Sequence, residues 1–241
     1  MIFLKEQLDY FIGQSILKAE GNAKNIPYEE IKEQELTDIK TFGKEIFFCF
    51  KDFSIRVHLM LFGKYAIDSE LNRLLRLRLE FENGLINFYA AECRFIREPL
   101  EKLYDFSSDV MNVSFNPVKA LEKLKSKSKQ LICEALLDQN ILAGVGNKIK
   151  NEVLFRTQIH PESIVGEIPE TELKKLIDEC VIVSSEYLDW KREGTDDQWQ
   201  VYKQSECLRD NVPLLKQKIG KSGRSCYFCD KCQKLYLNEN I

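Results

Sequence analysis

The chain has 241 residues, enough for one large or two modest domains, and its 44% hydrophobic and 30% charged content is that of an ordinary globular protein. No run approaches the roughly 18 apolar residues of a membrane span, and Lys5, Glu6 and Asp9 break up the amino-terminal apolar stretch, so a signal-peptide core is excluded and a cytoplasmic, membrane-free protein is expected. The formal charge of −3 is unevenly spread: Val118 to Arg156 carries eight Lys/Arg against four Asp/Glu, and so does Val201 to Ile241, which leaves room for a nucleic-acid face on a nearly neutral protein.

An apolar-faced helix (Phe3, Leu4, Leu8, Phe11, Ile12) opens the chain. The stretches IFFCF, FSIRVHLMLF and LLRLRLEF follow, rich in aromatic and branched residues and therefore strands. Asn83-Gly84, between RLRLEF and LINFY, marks a hairpin. An antiparallel β-sandwich over residues 1–105 is expected. A helical region, 106–192, comes next. Asn116-Pro117 places an N-cap and a first-turn proline before VKALEKLKSK, a second helix is expected near Leu131 to Asp138, and a third from about Gly146 to Thr157. Pro169 opens a fourth helix with an apolar face of Leu173, Leu176, Ile177, Cys180, Val181 and Leu188. KREGTDDQ, from Lys191, has linker composition, and residues 193–241 hold the linker and a cysteine cluster.

Two features carry chemistry. In Ala143-Gly144-Val145-Gly146-Asn147, two glycines interrupt good helix formers, where each weakens a helix by about 1 kcal/mol relative to alanine. Such a turn at a helix start leaves backbone N–H groups unobstructed along the positive end of the helix dipole, a site for an anion such as a DNA phosphate. Asn147 and Lys148 stand beside it. The second feature is Cys207-Leu-Arg-Asp210 followed by Cys229-Asp-Lys-Cys232, with Cys226 nearby. Two CxxC knuckles would be a strong zinc signal. Here aspartate replaces one cysteine, and Cys226 is an alternative ligand. Cys49, Cys93, Cys133 and Cys180 are scattered singly in apolar surroundings, as buried thiols are.

LLDQNILAGVGNKIKNEVLFRTQIHP resembles the helix–two-turn–helix signature of the formamidopyrimidine-DNA glycosylase/endonuclease VIII family. The resemblance implies an α+β fold: an amino-terminal β-sandwich with a flanking helix, a helix–two-turn–helix domain and a carboxy-terminal zinc-ribbon-like hairpin. It implies phosphate contacts by Lys44 (in Thr41-Phe42-Gly43-Lys44), by Gly146 and Asn147 with Lys148 beside them, and by Arg224 in GRSCYFCDKCQ. Met60, Leu61 and Phe62 match the wedge that fills the gap left by an extruded nucleotide, and Arg94-Phe95 the pair that supports the opposite strand. It also implies one structural Zn²⁺ at Cys207, Asp210, Cys229 and Cys232, and a monomer acting on double-stranded DNA with damaged bases or abasic sites. The implied activity is excision of oxidised bases with abasic-site lyase chemistry (β/δ-elimination).

One departure bears on that activity. The family begins Pro-Glu, whose secondary amine is the nucleophile, whereas this sequence begins Met1-Ile2-Phe3-Leu4-Lys5-Glu6, and Glu6 falls within the first helix. No catalytic nucleophile is assigned, and the chain so begun is expected to be impaired. The rival reading is a non-catalytic binder of damaged or abasic DNA with the same fold.

Overall fold

The computed structural model describes residues 1–195 and 197–238, and its contacts divide the chain into two units, Met1–Tyr104 and a second from Asp105 onward. In the first unit the elements are α1 (Ile2–Leu8), β1 (Lys18–Glu20), α2 (Tyr28–Ile31), β2 (Asp38–Phe42), β3 (Glu45–Cys49), β4 (Ser54–His58), β5 (Lys64–Ile67), β6 (Leu75–Phe81), β7 (Gly84–Tyr89), β8 (Glu92–Ile96) and α3 (Leu100–Leu103). The strands pair antiparallel in two four-stranded sheets, ordered β1-β6-β7-β5 and β2-β3-β4-β8. Alternation turns Ile46, Phe48, Ile55 and Val57 of one sheet, and Leu77, Leu79, Ile86 and Phe88 of the other, into a common core. Phe48 meets Phe88 edge-on at 5.8 Å across that core. Leu4, Leu8 and Phe11 close its end, while Ile12 is exposed, so the amino-terminal helix presents a narrower apolar face than expected.

The β6–β7 hairpin forms one step from where Asn83-Gly84 places it. Phe81 pairs with Gly84, so the turn residues are Glu82 and Asn83. Gly84 has a different task. It sits at φ +145°, where an added Cβ would lie 2.3 Å from Asp68 Oδ1, and that oxygen accepts the Leu85 N–H at 2.7 Å. FSIRVHLMLF is likewise only half a strand, since β4 ends at His58 and a turn follows.

In the second unit the helices are α4 (Pro117–Lys125), α5 (Ile132–Ala135), α6 (Asn147–Arg156) and α7 (Glu170–Glu193), followed by the antiparallel hairpin of β9 (Leu215–Ile219) and β10 (Arg224–Phe228). Asn116 caps α4 as its sequence requires, its Oδ1 accepting from Lys119 N at 3.0 Å. α5 is shorter than the Leu131–Asp138 helix expected. α7 is longer: it runs into the stretch read as linker from Lys191 and stops at Gly194, whose φ of +64° is a left-handed cap. Leu124, Leu136, Leu142, Val145, Val153, Leu176 and Cys180 form the helical core, and Ile219, Cys226 and Phe228 of the hairpin belong to the same cluster. Among the described residues, no helix is long and apolar enough to cross a membrane.

Candidate nucleic-acid interface and metal centre

The glycine turn is closed by one side chain. Gln139 Oε1 accepts from Gly144 N at 3.1 Å, while its Nε2 donates to the carbonyls of Leu137 (2.9 Å) and Val145 (3.1 Å). Gly144 needs to be glycine, at φ +96°. Gly146 is extended (φ −115°, ψ −175°) and occupies the N-cap of α6, where the lack of a side chain leaves the first amides uncovered. Asn147 Nδ2 donates to the Ser225 carbonyl on β10 at 3.1 Å, and its Oδ1 is buried without a hydrogen-bond partner among the described residues. Lys148 has an occupation that its place in the motif does not announce. Its ammonium lies 2.6 Å from Asp197 Oδ2 and 5.5–6.0 Å from the ring centroids of Tyr187, Trp199 and Tyr202.

The hairpin is bolted to α6 through the same strand. The Ser225 carbonyl also takes Asn151 Nδ2 (3.3 Å) and Lys150 Nζ (3.5 Å), and Asn151 Oδ1 accepts from Tyr227 N at 3.1 Å. Lys150 is fully buried, its Nζ 3.1 Å from Cys226 Sγ. The Cys133 thiol donates to that sulfur and Lys150 lies beside it, so Cys226 is held down to about 6 despite its burial. Cys226 is therefore a partner of Lys150 and Cys133 and does not join Cys207, Cys229 and Cys232. Arg224, next in line, is exposed, and its guanidinium makes no hydrogen bond or ion pair among the described residues.

At the far end of the hairpin, Cys207, Asp210, Cys229 and Cys232 bring four ligand atoms within 4.8 Å of one another. Asp210 Oδ2 lies 3.5 Å from Cys207 Sγ and 3.3 Å from Cys229 Sγ, and the sulfurs of Cys207 and Cys232 are 3.9 Å apart. Arg209 donates to Cys232 Sγ at 3.1 Å and to the Phe155 carbonyl at 2.7 Å. These four side chains could hold a metal ion.

In the first unit, the turn after β4 displays Met60, Leu61 and Phe62, which are 57%, 77% and 75% exposed. They are not core residues. Met60 adopts φ +49°, and an added Cβ on Gly63 would lie 1.8 Å from the Leu59 carbonyl oxygen, so the turn is too tight for any other residue there. Lys44 is exposed in the two-residue turn between β2 and β3, not within a strand. Arg94 pairs with Glu92 (Nε to Oε1, 2.7 Å), and Phe95 stacks on Phe53 at 4.6 Å.

Residues 107–198 match the profile described as the formamidopyrimidine-DNA glycosylase H2TH domain. The chain is 27% identical over 95% of its length to endonuclease 8-like 3 of Xenopus laevis, and 33% identical over 66% of its length to endonuclease 8-like 2 of Bos taurus. It spans only 39% and 48% of those two proteins. In three dimensions it is similar to Lactococcus lactis formamidopyrimidine-DNA glycosylase bound to DNA containing an abasic site, with a TM-score of 0.84, 97% of each chain covered and 23% identity. Residues 107–198 thus carry the H2TH domain of the formamidopyrimidine-DNA glycosylases, and the chain has their fold.

Two residues matter that the motifs do not single out. Glu152, inside α6, is fully buried, accepting from Arg156 Nε (2.9 Å), Gln200 N (3.0 Å) and Val201 N (3.3 Å). Burial pushes its carboxyl up, against the pull of Arg156. Asp197 is the second. Burial opposes its charge, but hydrogen bonds from Lys148, Lys191 and Trp199 Nε1 prevail and hold it at about 2. No sequence signal marks it, because its two cationic partners come from α6 and α7. Asp197→Asn should cost about 1–2 kcal/mol at neutral pH, as loss of a partly buried ion pair does. Because the folded value lies below the unfolded one, that penalty should be full above about pH 4, and it should shrink as pH falls towards 2, where the wild type loses the same charge. Denaturant melts of both proteins across that range measure it; a pH-independent difference would contradict the ion-pair account.

Proposed function

We propose that the protein is a base-excision repair protein that grips duplex DNA at a damaged base or abasic site, and that it is a glycosylase with abasic-site lyase chemistry. The observation that carries the reading is Arg224: an exposed guanidinium, unpaired among the described residues, at the start of a strand that Asn147 fastens to the glycine turn. A bidentate cation suits a phosphate, and the uncovered amides of α6 offer donors for the same chemistry. Met60, Leu61 and Phe62 support it, since three consecutive exposed apolar side chains on a rigid turn suit insertion where a nucleotide has left the stack. A Lactococcus lactis relative of the same fold is bound to DNA with an abasic site.

Duplex carrying an abasic-site analogue is expected to bind more tightly than intact duplex. Arg224→Ala and Asn147→Ala should each weaken that binding by about 1–3 kcal/mol, the worth of a hydrogen bond to a charged group. Arg224→Ala should also flatten the log–log salt dependence by roughly 0.9 per lost phosphate contact. Identical titration curves for damaged and intact duplex at moderate salt would sink the reading.

For the metal centre we propose zinc. Tetrahedral Zn–S bonds near 2.3 Å and a Zn–O bond near 2.0 Å give S···S edges of about 3.8 Å and S···O edges of about 3.5 Å. The separations of 3.9, 3.5 and 3.3 Å fit such a site. Three thiolates and one carboxylate would hold the ion, whose role there is to staple the hairpin.

Lyase chemistry in this family's manner needs an unprotonated amine and an acid at the sugar. Lys150 is buried against Cys226 and Glu6 lies on α1, so neither is offered as that pair. Borohydride trapping on abasic duplex separates the two readings. A trapped covalent complex supports the lyase, and tight selective binding without trapping supports the non-catalytic binder.

A further inference from the structure

Glu134, on α5, reaches across to the tip of the hairpin. Its Oε1 accepts the N–H groups of Lys221 (2.6 Å) and Ser222 (3.3 Å), the middle of the β9–β10 turn. Gly220 makes room for it: at φ +72°, an added Cβ would lie 2.5 Å from Glu134 Cδ and 2.6 Å from Oε1. On the other flank, the Ser225 carbonyl is held by Asn147, Asn151 and Lys150. Arg224 stands between the two clamps, and neither touches its guanidinium.

We infer that Glu134 is a positioning residue for Arg224: it fixes the hairpin tip so that the guanidinium meets a DNA phosphate already oriented. The inference rests on the phosphate-binding reading of Arg224 given above. The chemistry makes the sign of the effect diagnostic. A carboxylate close to an anion-binding arginine repels the ligand, so a glutamate with no structural task would, on removal, tighten DNA binding. A glutamate that holds the turn would, on removal, weaken it, because ordering Arg224 must then be driven by the binding itself.

The test uses the full chain and duplex carrying a tetrahydrofuran abasic-site analogue, titrated against wild type, Glu134→Ala, Glu134→Gln, Arg224→Ala and the Glu134→Ala/Arg224→Ala double variant. Glu134→Ala should bind about tenfold more weakly, comparable to one charge-assisted hydrogen bond. Glu134→Gln keeps an oxygen facing both amides and should stay near wild type. In the Arg224→Ala background, Glu134→Ala should cost nothing further, which a general loss of folding would not reproduce. Amide hydrogen exchange of the DNA-free protein should show faster exchange at Lys221 and Ser222 in Glu134→Ala and in no other single variant. Unchanged or tighter binding by Glu134→Ala, with Arg224→Ala still weakened, overturns the positioning role alone. Wild-type binding by Arg224→Ala overturns the reading of Arg224 and the positioning role with it.

Discussion

Replacing Glu152 by alanine is expected to cost about 3–5 kcal/mol of folding free energy, the range for breaking a buried, hydrogen-bonded ion pair from one side. Three donors lose their acceptor at once: the Arg156 guanidinium and the amides of Gln200 and Val201. Arg156 would keep Glu179 (3.2 Å) and Glu186 (2.7 Å), so its charge is not orphaned. The two amides have no such reserve. Their loss frees the segment that leads from α7 to Cys207, and Val201 packs with Phe155, Cys207 and Cys229 in one small cluster. Glutamine should rescue little, because an amide can face only one of the two donor sets with its oxygen and turns N–H groups towards the other. Chemical denaturation of Glu152→Gln and Glu152→Ala measures this; a loss below about 1 kcal/mol, ordinary for a surface change, would show that the buried carboxylate is dispensable.

The second large effect concerns the metal centre. Cys229→Ser, or exhaustive chelation, should remove one bound zinc per chain and unfasten the hairpin, while the β-sandwich unit stays folded. In structural sites metal binding is coupled to folding, with apparent free energies of about 10–16 kcal/mol in zinc-finger peptides. The value here should be lower, since a carboxylate replaces one thiolate. Cys229 and Cys207 are fully buried, and only one side of the hairpin packs on the helical core, through Ile219, Cys226 and Phe228. Without the ion, the Cys207–Asp210 end is held by a small cluster of Phe155, Val201, Val212, Leu214 and Tyr227 and by the Arg209 hydrogen bond to the Phe155 carbonyl. Elemental analysis, amide exchange across residues 205–233 and titration with abasic duplex should therefore move together. Asp210→Cys should do the opposite, raising resistance to chelators. Zinc-free wild type after careful reconstitution would reject the site, and a metal-free protein with an unchanged hairpin would reject its structural role.

The architecture was legible along the chain because its signals are local. Runs rich in aromatic and branched residues mark β3, β4, β6 and β7, Asn116-Pro117 sets the start of α4, and the run from Leu137 to Pro161 carries the turn in which Gly144 takes φ +96°. The Cys207, Asp210, Cys229 and Cys232 grouping was also readable, since knuckle spacing puts ligands on adjacent chain reversals. What sequence could not supply were the tertiary partners. Spacing makes Lys148 a cation beside an anion site, but only the packing of α6 against α7 and residues 197–202 encloses it among Asp197 and three rings. Cys226 looks like a spare metal ligand until β10 docks on α6 and turns its sulfur to Lys150. Met60 and Phe62 read equally as strand core or as a displayed wedge, because hydrophobicity carries no sign for inside or outside. The tight turn closed at Gly63 decides it, by ending β4 two residues before Met60. The braces around Arg224 have no sequence signature either: Glu134, Asn151 and Lys150 lie 74 to 88 positions from the hairpin residues they contact, and a contact of that range exists only once the chain has folded.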